Sequence, residues 1–99
     1  EGIAQVDGVD GLLIGTNDLC AEMGIPGKFT DPQVEDAYRT VVAVCKKPGK
    51  IPGMGGVYEA KLMEKYIGYG MRMILSGSDL SFLMAGARAR TEFLRGLKI

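Results

Sequence analysis

The chain has 99 residues, and twelve Lys and Arg balance twelve Asp and Glu, so its formal net charge is zero. A neutral chain gives no electrostatic argument for binding nucleic acid or an anionic membrane, and no apolar run approaches the ~20 residues of a membrane-spanning helix. Histidine is absent, so acid–base chemistry falls to carboxylates, a metal-bound water or residues outside this chain.

Val9 to Ile14 is a short apolar run closed by Gly15, the pattern of a buried strand. A long connection rich in Gly, Pro and polar residues follows, from Thr16 to about Phe29. It contains Cys20, and Cys45 lies beyond it. The two form no CxxC pair and, without His, no Cys/His zinc site. They are expected to be reduced thiols of a cytosolic protein, and no charged-then-apolar leader is visible ahead of them.

Thr30-Asp31-Pro32-Gln33 has the Ser/Thr-x-x-Glu/Gln form of a capping box, with Pro in the first turn, where its missing N–H costs little. Val34, Ala37, Tyr38, Val41, Val44 and Cys45 then recur at helical spacing as one apolar face. Lys46 and Lys47 suit the negative end of that helix, and Pro48-Gly49 stops it. Ile51 to Met54 reads as a strand despite Pro52, which lacks a ladder donor. Val57 to Ile67 reads as a helix with Leu62, Met63, Tyr66 and Ile67 inward, ended by Gly68 and Gly70. Met71 to Leu75 is a third strand. Asp79, as N-cap, opens a helix to about Gly96.

Strand and helix alternate three times, which implies parallel strands joined by right-handed crossovers. A closed (β/α)8 barrel takes ~250 residues, so residues 1–99 hold about three-eighths of one. The expected fold is α/β: three βα units of a TIM barrel, an incomplete barrel forming one domain. A small open α/β domain is the alternative.

Parallel α/β folds carry their chemistry at the C-terminal ends of the strands. Those ends are Gly15-Thr16-Asn17-Asp18, Gly55-Gly56 and Ser76-Gly77-Ser78-Asp79. The first precedes the longest loop, and long loops are often functional. Asp18 is therefore the candidate metal ligand. The plainer reading is that it caps a helical turn from Leu19 to Met23, a role Thr16 or Asn17 would also fill. Gly15 either lets a ligand approach the backbone or simply ends the strand. Arg88, Arg90 and Arg95 fit a solvated helix face. The last helix carries two apolar rows, Phe82, Gly86, Ala89, Phe93 and Leu83, Ala87, Leu94. One stripe suffices for packing on a barrel, so the extra width points to burial against a second chain or to a long core helix.

Together these residues resemble the HpcH/HpaI aldolase/citrate lyase family. Gly8-Val9-Asp10-Gly11-Leu12-Leu13-Ile14-Gly15-Thr16-Asn17-Asp18-Leu19 is similar to that family's strand and metal-binding turn, G-V-D-G-x-x-I-G-P-x-D-L. The similarity continues through Gly24-Ile25-Pro26, Asp31-Pro32-Gln33-Val34, Gly49-Lys50, Gly70 and Ser76-Gly77-Ser78-Asp79. One departure stands out: the common Gly-Pro turn is Gly15-Thr16 here. Gly55 also stands where other members often carry a bulkier apolar residue.

The resemblance implies the C-terminal portion of a (β/α)8 barrel enzyme, a class II lyase that uses Mg²⁺, Mn²⁺ or Co²⁺. It implies reversible aldol cleavage of a 4-hydroxy-2-oxo acid to pyruvate and an aldehyde. Asp18 matches the family's Asp metal ligand. Gly15, Thr16, Asn17 and Asp18 match the substrate-binding turn. The family's Glu ligand, Arg and His would precede Glu1, so residues 1–99 alone are expected to be inactive. The resemblance also implies a cytoplasmic homo-oligomer, a hexamer, formed through the 79–97 helix. Two alternatives remain: a CoA-thioester lyase of the citrate lyase β type, and a non-catalytic (βα)3 interaction module.

Overall fold

A computed structural model describes all 99 residues. A short 3-10 turn, Ile3–Gln5, leads into β1 (Gly11–Gly15), α1 (Thr16–Glu22), α2 (Pro32–Lys46), β2 (Ile51–Gly55), α3 (Ala60–Tyr69), β3 (Met73–Ile74) and α4 (Asp79–Arg95). The strands form one parallel sheet in the order β1-β2-β3. β1 and β2 pair in register from Gly11 with Ile51 to Gly15 with Gly55, and Gly53 pairs with Met73. β1 and β3 are left as open edges.

Pro52 lies in the central strand without breaking it. Its carbonyl accepts from Arg72 N at 2.9 Å. Carbonyl and nitrogen of one residue point to the same side of a strand, so the donor that proline lacks would face β3. The β3 ladder begins only at the next pair, Gly53 with Met73. Little pairing is lost there. β3 is shorter than the five residues expected, although hydrogen bonds continue past it, Leu75 N donating to Met54 O at 3.0 Å.

One sheet face carries the core. Ile14 and Met54 pack with Val34 and Tyr38 of α2, Leu62 and Tyr66 of α3, and Cys20, Val57 and Met71. The opposite face is bare: Leu13, Ile51, Met73 and Leu75 are all exposed large apolar residues. Strand alternation puts these side chains on the side that a closed barrel turns inward. Cys20 and Cys45 are buried and free. Burial pushes both thiols above their usual range, which keeps them in the unreactive protonated form.

Helix boundaries differ from the expected ones where a nearer side chain wins the cap. Asp31, not Thr30, caps α2, its carboxylate accepting from Gln33 N at 2.9 Å. Pro32 holds the residue before it extended (ψ 139°), which is the N-cap conformation. α3 begins at Ala60 rather than Val57, because the Glu59 carboxylate accepts from Lys61 N and Leu62 N. Gly68 lies inside that helix, and Gly70, at φ 126°, ends it. Ile67, expected inward, is exposed. Ser78, not Asp79, caps α4, in a reciprocal box with Ser81.

α4 stands apart from the rest. None of its residues is buried, and the chain measures 63 × 30 × 21 Å. Phe82, Leu83, Phe93 and Leu94 of its two apolar rows are all exposed. No helix is long and apolar enough to cross a membrane.

Candidate metal and substrate site

β1 passes straight into α1: the expected long connection from Thr16 is helical through Glu22. Gly15 is the N-cap, and no side chain caps this helix. The capping role considered for Asp18, Asn17 or Thr16 is therefore not used. Asp18 lies in the first turn, where a negative charge suits the helix dipole. It is exposed, and the ion pairs of the chain use Glu35 and Asp36 instead.

Four hollows mark the surface, and one of them, of about 240 Å³, contains a carboxylate. Leu13, Gly15, Thr16, Asn17, Asp18, Gly55, Gly56 and Leu75 line it. All four residues singled out for the site thus meet at one place, at the C-terminal ends of β1 and β2. The larger hollows lie elsewhere, one against Tyr58 and the start of α4, another beside Lys46, Lys50 and Arg72.

The glycines keep this hollow open. A Cβ on Gly56 would lie 3.1 Å from Asn17 Nδ2 and 3.5 Å from Asn17 N, and its φ of +84° also favours glycine. A Cβ on Gly15 would lie 3.4 Å from Asp18 Oδ2. At Gly55 the freed space is already in use, since Leu75 Cδ1 lies 3.1 Å from where a Cβ would stand. Leu75, just beyond β3, thus fills the space that a bulkier residue at position 55 would take.

The donor chemistry fits one arm of a divalent-cation site. Asp18 offers a hard oxygen of the kind that Mg²⁺ and Mn²⁺ prefer. No group of three or more His, Cys, Asp or Glu residues gathers anywhere in the chain. A complete coordination sphere therefore needs oxygens from outside these residues.

Two tyrosines lie behind the hollow without lining it, and neither was singled out from the sequence as a site residue. Tyr38 was legible only as part of the apolar face of α2. It is fully buried, and its hydroxyl lies 2.5 Å from Thr16 Oγ1. Thr16 is fully buried too and donates to Gly55 O at 2.7 Å. The Tyr66 hydroxyl donates to Phe29 O. A tyrosine on a buried helix face was the available signal, because its hydroxyl must find a partner there. Burial pushes the Tyr38 phenol above its ordinary range, against the opposing effect of the Thr16 hydrogen bond. Burial does the same to Tyr66, reinforced by Tyr38.

A parallel βα layer with its one carboxylate-bearing hollow at the strand C-termini is the arrangement of barrel enzymes. The profile of the HpcH/HpaI aldolase/citrate lyase family matches residues 1–85, and the chain belongs to that family. It is 40% identical over 83 residues to a 4-hydroxy-2-oxovalerate aldolase of Rhodococcus jostii (strain RHA1), covering 84% of this chain and 32% of that protein. It is 37% identical over 87 residues to a 4-hydroxy-2-oxo-heptane-1,7-dioate aldolase of Salmonella newport (strain SL254), covering 88% and 33%. A crystal structure of a family member from Burkholderia cenocepacia J2315 superposes with a TM-score of 0.80 at 32% identity, over 95% of this chain and 36% of that one. The chain spans about a third of the length of these relatives. Its three βα units are the C-terminal portion of a (β/α)8 barrel.

Proposed function

We propose that this chain is the C-terminal part of a divalent-metal-dependent lyase that reversibly cleaves a 4-hydroxy-2-oxo acid to pyruvate and an aldehyde. The observation that carries this reading is the position of Asp18. Its carboxylate is free of capping duty and opens onto the hollow at the strand C-termini. Relatives named as 4-hydroxy-2-oxo acid aldolases support the substrate class.

Asp18 would hold one coordination position of Mg²⁺, Mn²⁺ or Co²⁺, and a carboxylate outside residues 1–99 would hold another. When bound, the cation supplies Lewis acidity, drawing electron density from the keto group as the C–C bond breaks. The backbone N–H groups of Thr16, Asn17 and Asp18 have no intrahelical acceptors in the first turn of α1. They are offered to the carboxylate of the 2-oxo acid, and Gly15 and Gly56 leave it room to approach. Leu13 and Leu75 form the apolar wall that limits water beside the reacting atoms. This chain has no His, so the catalytic base comes from the part of the barrel outside residues 1–99 or from a metal-bound water.

α4 supports the assembly proposed with this function, a homo-oligomer of hexamer type, because both its apolar rows lie uncovered. The cytoplasm is the proposed compartment, where buried free thiols stay reduced. A CoA-thioester lyase would need a cationic groove for the nucleotide. The hollow lined by Asp18 contains no Lys or Arg, which favours the smaller substrate.

The test compares the full-length protein with residues 1–99 alone. Each is incubated with oxaloacetate or a 4-hydroxy-2-oxo acid and Mn²⁺, and pyruvate is followed. The full-length protein should release pyruvate and lose that activity with a chelator, while residues 1–99 stay at background. Chelator-insensitive release, or release by the short chain, contradicts the proposal.

A further inference from the structure

We infer that Tyr38 is a positioning residue: through the Thr16 hydroxyl, its phenol fixes the turn that carries Asp18 and so sets how tightly the site holds its divalent cation. The inference rests on the proposed metal role of Asp18.

The direction of the hydrogen bonds is settled by chemistry. The Gly55 carbonyl can only accept, so the Thr16 hydroxyl proton goes to it, at 2.7 Å. That leaves the Thr16 oxygen to accept from the Tyr38 hydroxyl, 2.5 Å away. No buried side-chain polar atom is left without a partner, so this relay is fully satisfied and has one arrangement. Its far end is held as well. The Tyr38 ring stacks on Tyr66, with centroids 3.9 Å apart and 20° between the planes, and Tyr66 donates to Phe29 O.

Thr16 is the first residue of α1, and Asp18 lies in the same turn two residues on. The bridge therefore ties the turn bearing Asp18 to β2 through Gly55, to α2 through Tyr38 and to α3 through Tyr66. No side chain caps α1, and the clamp holds its first residue in place without engaging the first-turn N–H groups. The Gly-Pro turn of the family pattern has no hydroxyl at the second position, and the bridge is impossible there. Groups that orient a metal ligand typically change affinity 10- to 100-fold when removed.

The test is Mn²⁺ binding to the full-length protein, measured by calorimetry, together with turnover as a function of Mn²⁺. Tyr38→Phe and Thr16→Val should each weaken Mn²⁺ binding about 10-fold, and turnover should recover at saturating Mn²⁺. Thr16→Ser keeps the hydroxyl and should bind Mn²⁺ within about twofold of the unaltered protein. A merely structural role would lower the melting temperature and leave the Mn²⁺ constant alone. Equal Mn²⁺ affinity in the unaltered protein, Tyr38→Phe and Thr16→Val overturns the positioning role and leaves the proposed function standing. Absence of Mn²⁺ binding by the unaltered protein overturns both. Should Tyr38→Phe fail to fold, Thr16→Ser against Thr16→Val decides, and equal affinity of that pair overturns the inference.

Discussion

The rings of Tyr38 and Tyr66 stack with centroids 3.9 Å apart and 20° between their planes, joining α2 to α3 beneath the Asp18 turn. Both phenols are raised from their ordinary value of 10.0, chiefly by burial. The folded chain therefore holds these protons more tightly than the unfolded chain does. That stability is fully present below the unfolded value and is lost as pH rises through the folded ones. Melting temperature should hold steady at about neutral pH, begin to fall above about pH 9 as the buried thiols of Cys20 and Cys45 contribute, and fall more steeply above about pH 10. Tyr66→Phe should make the alkaline fall shallower. An equally steep fall in that variant would show that other groups cause it.

Asp18→Asn tests the metal ligand while preserving shape. In the full-length protein it should raise the Mn²⁺ needed for half-maximal turnover steeply, by more than the about 10- to 100-fold that loss of an outer-shell partner costs, and lower turnover. The charge lost from the first turn of α1 costs only about 0.3–1 kcal/mol, so the protein should still melt cooperatively. Normal affinity for Mn²⁺ together with normal activity would refute the assignment.

Phe93 belongs to an exposed apolar row of α4, and Arg90 sits over its ring at 5.2 Å. Burying such a side chain against another subunit contributes about 1.5–3 kcal/mol. Phe93→Asp should shift the full-length assembly toward smaller species in light scattering. An oligomer of unchanged size and stability would count against an interface at α4.

The sequence by itself determined the alternation of strands and helices. Apolar runs, periodic faces and breakers such as Pro48-Gly49 are local signals, and local hydrogen bonding and burial answer them. It also determined that Asp18, Gly15, Thr16 and Asn17 would meet, because β1 delivers all four to one end of the sheet. Helix starts were less legible: Asp31, Glu59 and Ser78 took the caps. Neighbouring polar side chains compete for the same N–H groups, and only the backbone path decides which one reaches them. The role of Tyr38 was out of reach, since a helical apolar face looks alike whether its hydroxyl meets water or a threonine 22 residues away. Tertiary structure alone brought Leu75 over Gly55 and Tyr38 to Thr16. Those contacts join separate elements, and their geometry is set by how strands pair and helices stack rather than by any local pattern of residues.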